Sequence, residues 1–379
     1  MYKRLLQKII EQKFFKGKII IITGARQTGK TTLSLELVKK FPKKEIRLFN
    51  CDNPTDRQEL YNKDLEFLNQ LIGNAKIVLV DEAQKVENIG EILKLLVDFH
   101  KKKKQIIVTG SSSVNLLDNT QEPLTGRKYV YNLFPLTLEE IFPEKNQLKM
   151  LKTLESLLVF GSYPEVVSQR SFNDKQELLQ ELASSYIYKD ILEFQQIKSP
   201  DVLLRLLKAL ALQIGSQVSY SELANTIGID KKTVEKYIDL LEKSFVIFRL
   251  SPYTKNKRRE IFKLKKIYFY DLGVRNAIIN NFNFFENRND IGDLWENFII
   301  AERIRYRAYH KIYANQYFWR TYDGKEVDLV EEKSGKLEGY EFTWNLKKAK
   351  KKSSPITWLD YPKSSWQIIT SRDLNGFVI

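Results

Sequence analysis

Ile19-Ile20-Ile21-Ile22-Thr23-Gly24-Ala25-Arg26-Gln27-Thr28-Gly29-Lys30-Thr31-Thr32-Leu33 opens with four branched residues in a row. Apolar on both faces of a pleat, they predict a strand buried between two layers, as in a parallel sheet. Gly24 and Gly29 frame a loop, and Leu33, Leu37 and Val38 mark one side of the helix that follows. Strand, G-x-x-x-x-G-K-T and helix, in that order, are a P-loop in its required setting.

The residue types match the needs of a bound polyphosphate. Backbone N–H groups must approach the anion closely, which Gly24 and Gly29 permit by lacking a Cβ. Ala25, Arg26, Gln27, Thr28 and Thr32 supply the rest of that backbone. The helix N-terminus adds unpaired donors and the positive end of its dipole. Lys30 is expected to reach the β- and γ-phosphates of ATP, and the Thr31 hydroxyl to ligate Mg²⁺.

Working outward, a chain of 379 residues with 43% hydrophobic and 12% aromatic content has ample core for two or three domains. No apolar run approaches the ~18 residues of a membrane span. Met1-Tyr-Lys-Arg leads into an amphipathic helix over 2–15 (Leu5, Leu6, Ile9, Ile10), not into a signal peptide. The single cysteine, Cys51, excludes internal disulfides and fits a reducing cytosol, so a cytoplasmic location is expected. Two histidines, His100 and His310, argue against zinc chemistry. The net charge of +15 points to a polyanionic partner such as DNA.

Beyond the loop, Ile46 to Asn50 reads as a second strand, 56–72 as helix, and Lys76 to Val80 as a buried strand ending in Asp81-Glu82. Asp81 suits Mg²⁺ coordination opposite Thr31, and Glu82 suits orienting or deprotonating an attacking water. Gly90 to Phe99 is helical. Gln105-Ile-Ile-Val-Thr-Gly-Ser is a further strand whose end is placed beside the first, with Thr109 or Ser111 as hydrogen-bond donors to the γ-phosphate or the water. Arg127, just before the strand Lys128 to Leu136, is a candidate for stabilising γ-phosphate charge. It would act in its own site or in that of a neighbouring copy, which would make the protein a homo-oligomer.

Gly24-Ala-Arg-Gln-Thr-Gly-Lys-Thr-Thr, Val80-Asp-Glu-Ala-Gln, Val108-Thr-Gly-Ser-Ser and Leu124-Thr-Gly-Arg with Phe134-Pro-Leu-Thr together resemble a family of prokaryotic AAA+ ATPases with a C-terminal domain of unknown function. Gly161-Ser-Tyr-Pro-Glu-Val, Tyr268-Phe-Tyr-Asp-Leu-Gly and Gly292-Asp-Leu-Trp-Glu-Asn match its later landmarks, so the resemblance spans nearly the whole chain. It implies ATP binding and hydrolysis and implies no known substrate.

The remainder divides into three stretches. Residues 146–215 read as all-helical, the lid of an AAA+ core (1–145). Residues 216–280 read as a winged helix: Ser219 opens a short helix, Gly228 ends it, Asp230 caps a longer one, and two strands follow. Lys231 and Lys232 on the second helix, and Lys257, Arg258 and Arg259 on a wing that also counts Lys265 and Lys266, are the candidate DNA contacts. In 281–379, Glu296, Asp328 and Glu341 resemble the metal-binding carboxylates of PD-(D/E)xK nucleases. The lysine of that pattern is Thr343 here, with Lys347 or Lys348 as candidate replacements.

The fold class expected is α/β: a parallel-sheet P-loop core, a helical lid, a winged helix and a nuclease-like end. Three functions stay open. One is an ATP-driven DNA-processing enzyme that cuts with Glu296, Asp328 and Glu341. Another is a DNA-binding switch whose only chemistry is ATP hydrolysis, and the third is an ATP-dependent protein-assembly scaffold. Thr343 favours the switch over the nuclease, and the basic wing favours both over the scaffold.

Overall fold

The computed structural model describes residues 2–61, 63–110, 124–185, 200–254 and 264–379. The chain forms two compact units, 1–135 with 243–245, and 136–242 with 246–379. Ser111 and the wing residues Lys257, Arg258 and Arg259 lie outside the described residues.

In the first unit β1 (Ile19–Thr23) is buried along its whole length. Strands β2 (Ile46–Asn50), β3 (Ile77–Asp81), β4 (Gln105–Gly110) and β5 (Lys128–Asn132) complete a five-stranded sheet of order β2-β3-β4-β1-β5. All its pairings are parallel, with Ile21 opposite both Val108 and Val130. Ile19 and Ile21 share one face with Val78, Val80, Ile106 and Val108, packed on Leu68, Ile72, Leu93 and Leu96. Strand alternation sends Ile20 and Ile22 to the other face, and the helix Lys30–Val38 touches both β3 and β4. Every strand thus ends at the same edge of the sheet, where the loops that follow β1, β3 and β4 meet.

Two helices differ from expectation. The lead-in helix is confined to Leu5–Glu11, with Leu6 and Ile10 buried. The stretch expected as one helix over 56–72 is two, Pro54–Leu60 and Leu65–Ile72. Asn53 caps the first and Asp64 the second, each accepting from a backbone N–H of its own first turn.

The second unit carries a seven-stranded sheet, β12-β11-β10-β9-β7-β8-β6. Its strands are β6 (Gln217–Val218), β7 (Ile247–Pro252), β8 (Lys265–Phe269), β9 (Asn315–Arg320), β10 (Glu326–Lys333), β11 (Lys336–Phe342) and β12 (Ser364–Ile369). Between β6 and β7 lie the helices Tyr220–Ile227 and Lys231–Lys243. Ser219 caps the first, Gly228 ends it at φ 78°, and Asp230 accepts from Thr233 N at 2.9 Å ahead of the second. Strand β7 is antiparallel to β8 and parallel to β9, so the sheet runs unbroken from β6 to β12. The long helix Ile291–His310 packs on β8 and β11.

Helices Gln147–Phe160 and Phe172–Ser185 pack on the helix Leu272–Ile278. The join explains two sequence landmarks. Asp271 caps that helix through Val274 N at 3.2 Å and also accepts Ser162 N at 2.7 Å. Gly161 has φ 69°, and a Cβ there would lie 2.0 Å from Asp271 Oδ1; a Cβ on Gly273 would lie 2.3 Å from the carbonyl oxygen of Phe160. Burial pushes the Asp271 carboxyl pKa up, against its backbone donors and Arg305. Gly161→Ala is expected to destabilise the protein by about 2–4 kcal/mol, from positive-φ strain and overpacking combined. Urea unfolding reads the effect, and a loss under about 1 kcal/mol would show that the join gives way easily.

Candidate nucleotide-binding site

The loop after β1 has the backbone a phosphate cradle requires. Gly24 sits at φ 149°, and a Cβ there would lie 2.2 Å from the Leu133 carbonyl oxygen, so only glycine closes the turn against that floor. Gly29, at φ 92° and ψ 30°, is the N-cap of the helix Lys30–Val38 and makes no side-chain cap hydrogen bond of its own. The first N–H groups of a helix are the donors an anion takes up. Gln27 also has a positive φ, 56°, as loop residues at ligand sites commonly do. Ala25 and Thr28 are buried and tied together by Thr28 Oγ1 donating to Ala25 O at 2.8 Å, while Arg26 is half-buried and Gln27 exposed.

Lys30 is only 5% exposed, and its ammonium donates to Gly24 O at 3.0 Å and Ala25 O at 2.7 Å. The ammonium is therefore held across the mouth of the loop. Thr31 and Thr32, at the start of the helix, are exposed.

Three strand ends bring the remaining groups together. Thr31 Oγ1 donates to Asp81 Oδ2 at 2.9 Å, so a hydroxyl from the start of the helix and a carboxylate from the end of β3 meet. Thr109 Oγ1, from β4, donates to Asp81 Oδ1 and accepts the backbone N–H of Glu82 at 3.2 Å. Thr109, the candidate γ-phosphate donor, thereby also holds Asp81 and the backbone of Glu82. Glu82 leaves β3 in the left-handed conformation, φ 53° and ψ 42°, and its Oε2 accepts from Gln84 Nε2 at 2.6 Å. Gln84 was not foreseen from the sequence, although a glutamine two residues past the acid pair is within reach of it.

Mg²⁺ fits this donor set: Thr31 and Asp81 offer hard oxygen ligands in contact, beside a loop built for phosphates. Arg127 does not reach the site. Its carbonyl accepts Ile19 N at 2.9 Å, which places it at the start of β1, a strand's length (~3.3 Å per residue) from the loop at the other end. Its guanidinium pairs with Asp98 at 2.6 Å. A residue that precedes a parallel strand lies at the sheet edge opposite the nucleotide, which removes Arg127 from its own site.

In the second unit the three carboxylates singled out by sequence do converge, with a different cation. Lys266, 4% exposed at its side chain, donates to Glu296 Oε1 at 3.0 Å and pairs with Glu326. Tyr268 hydroxyl bonds the same Glu296 oxygen at 2.6 Å. Asp328 accepts Phe342 N at 2.7 Å, and Glu341 pairs with Lys352. Burial, then the charges of Glu296 and Glu341, push the Asp328 pKa well up. Burial also raises that of Glu341, with Lys352 opposing. Burial works against the Lys266 charge, but Glu296, Asp328 and Glu326 outweigh it and its pKa is raised. Among the described residues no group of three or more His, Cys, Asp or Glu is arranged to hold a metal ion.

Two sequence expectations change accordingly. Lys266 is not a basic wing residue, because strand alternation turns it and Tyr268 inward together. The lysine reaching the carboxylates from the basic run is Lys352, not Lys347 or Lys348. Thr343 is buried, with its N–H bonded to Ile369 O at 3.1 Å. Of the candidate DNA contacts, Lys232 is exposed and Lys231 pairs with Glu235 at 3.7 Å; Asp239 is taken up by Arg249 at 2.8 Å.

A parallel sheet with a glycine-framed loop, an inward lysine and paired acids at the C-terminal end of β3 defines a P-loop nucleotide-binding domain. Residues 16–142 match the family described as AAA domain, and together these features support a P-loop ATPase of the AAA type. Residues 151–284 and 291–374 match two families, each described as a domain of unknown function (DUF8612 and DUF4143). Among curated proteins, the chain is similar to an uncharacterized protein of Mycobacterium tuberculosis, 26% identical over 334 residues, covering 88% of this chain and 71% of the relative. An uncharacterized protein of Haemophilus influenzae is 26% identical over 354 residues, covering 88% and 84%. Among solved structures, a signal-transduction ATPase with a tetratricopeptide repeat sensor from Pyrococcus horikoshii is similar at 14% identity and TM-score 0.31. That comparison covers 82% of this chain and 48% of the other. A Pif1 helicase from Bacteroides, in complex with ADP-AlF3 and ssDNA, is similar at 15% identity and TM-score 0.24, covering 48% and 49%.

Proposed function

We propose that this chain binds Mg·ATP, hydrolyses it, and uses the cycle to control how its second unit engages DNA. The observation that carries the first part is the meeting of Lys30, Thr31, Asp81 and Glu82 at one sheet edge. The loop N–H groups and Lys30 bind and orient the β- and γ-phosphates. Thr31 and Asp81 would hold a magnesium ion, which would supply charge neutralisation to the phosphates. Glu82 positions a water and accepts its proton, with Gln84 and Thr109 fixing where that carboxylate stands.

Support for DNA comes from charge and from the paired helices. Helices Tyr220–Ile227 and Lys231–Lys243, the short strand β6 and the antiparallel pair β7–β8 have the order of a winged helix. The acids that would face phosphates on the second helix are engaged: Asp239 by Arg249, Glu235 by Lys231. Lys232 and Lys236 remain exposed there, and Lys347, Lys348, Lys350 and Lys351 are exposed in the second unit's C-terminal part. Lys266 stands among the carboxylates that would hold a nuclease metal, which argues against phosphodiester cleavage. No described helix is long and apolar enough to cross a membrane.

The test is ATP turnover with and without duplex DNA, together with DNA affinity across salt concentrations. Duplex is expected to raise turnover several-fold, and log affinity to fall linearly with log salt, with a slope of about −0.9 per phosphate contacted. Turnover indifferent to DNA and a flat salt dependence would overturn the DNA part and point to a protein partner.

A further inference from the structure

Arg4 belongs to no motif, yet it is the best-buried cation near the loop after Lys30. It sits at the N-cap of the helix Leu5–Glu11 and is 8% exposed. Its Nη1 donates to the Thr28 carbonyl at 2.7 Å and its Nη2 to the Phe134 carbonyl at 2.6 Å. A Cβ on Gly29 would come within 4.0 Å of Nη1, so the guanidinium lies directly against the turn into the helix.

We infer that Arg4 is a positioning residue for nucleotide binding, which rests on the nucleotide-binding reading above. A trans peptide is planar, with its C=O and N–H pointing to opposite sides. Thr28 C=O and Gly29 N–H belong to one peptide. A guanidinium holding that carbonyl on the outside commits the Gly29 N–H to the inside, where the phosphates bind. Polarisation of the same peptide by a buried cation also strengthens the N–H as a donor.

The second attachment matters as much. Phe134 follows Leu133, whose N–H donates to Thr23 O at 2.7 Å and whose carbonyl closes on Gly24. One rigid group therefore clamps the far end of the loop to the floor under its near end. Arginine suits this because its fork presents two parallel sets of donors; a lysine ammonium would serve one carbonyl well and not both.

The experiment measures ATP affinity by equilibrium titration, melting temperature without nucleotide, and turnover at saturating ATP. Full-length wild type, Arg4→Ala, Arg4→Lys and Lys30→Ala are compared. Arg4→Ala is expected to weaken ATP binding by about 10- to 100-fold, the range for losing hydrogen bonds from a charged group. Arg4→Lys should recover part of that loss. Turnover at saturation should stay within about threefold of wild type, since Arg4 touches no reacting atom. A residue that only packs the first helix would lower the melting temperature and leave affinity unchanged, and that result overturns the inference. Should Arg4→Ala fail to fold, Arg4→Lys decides, because wild-type affinity there removes any need for the two-carbonyl clamp. Wild type that fails to bind ATP would instead sink the nucleotide reading, and Arg4's part with it.

Discussion

Glu82→Gln is expected to leave ATP bound and cut its turnover by about 10²- to 10⁴-fold, the usual worth of a positioned general base. The substitution keeps the size of the side chain and its bond from Gln84 within reach of an amide oxygen, while removing the group that accepts a proton. Affinity should therefore hold, so that the variant traps the nucleotide-bound state. Lys30→Ala separates the other half of the site. It should lose binding itself, because the ammonium is held across the loop mouth by the carbonyls of Gly24 and Ala25. If Glu82→Gln turned over ATP within threefold of wild type, the base would have to be sought elsewhere. A variant that lost binding and turnover together would mean that Glu82 shapes the site instead of acting on water.

Lys266→Met is expected to cost about 3–5 kcal/mol of stability, the largest effect in the second unit, because it strands buried carboxylates without their cation. Glu296 and Glu326 lose their ion pair, and Asp328 loses the charge that opposes its raised pKa. The pH dependence follows in sign. Carboxyls whose folded pKa lies above the unfolded value favour the fold at low pH and weaken it as pH rises through the folded pKa. Removing Lys266 raises that of Asp328 further, so the deficit should be largest near neutral pH and shrink on acidification. Lys266→Met with Glu296→Gln should recover part of the loss. Denaturant titrations at two pH values test this. A loss below about 1 kcal/mol, independent of pH, would mean that water rather than Lys266 balances the cluster.

Much of the first unit was legible because its signals are local. Four isoleucines declare a strand covered on both faces, the glycine spacing declares the loop, and acids closing an apolar run declare the end of β3. Strand direction was legible as well, and applied to Arg127 it would have placed that residue at the wrong edge of the sheet. What the sequence hides is long-range pairing without periodicity. Arg4 finds carbonyl acceptors 24 and 130 residues away, and backbone carbonyls carry no residue identity to read. Lys266 had a usable signal, since it shares a strand face with Tyr268, but a run of nearby cations masked it. The stretch 56–72 looked like one helix because its apolar residues continue, and Asp64 marked the break.

Strand β9 lies beside β7, Ser251 opposite Tyr317 and Pro252 opposite Phe318. A recombinant fragment cut near residue 280, where the sequence suggests a seam, would bare the β7 edge and leave β9 an apolar rim carrying Phe318 and Trp319. Such edges recruit other chains. Crystallographers and biochemists dividing this protein should therefore keep 136–379 in one piece, since the halves on either side of such a cut would be expected to precipitate apart and to stay in solution joined.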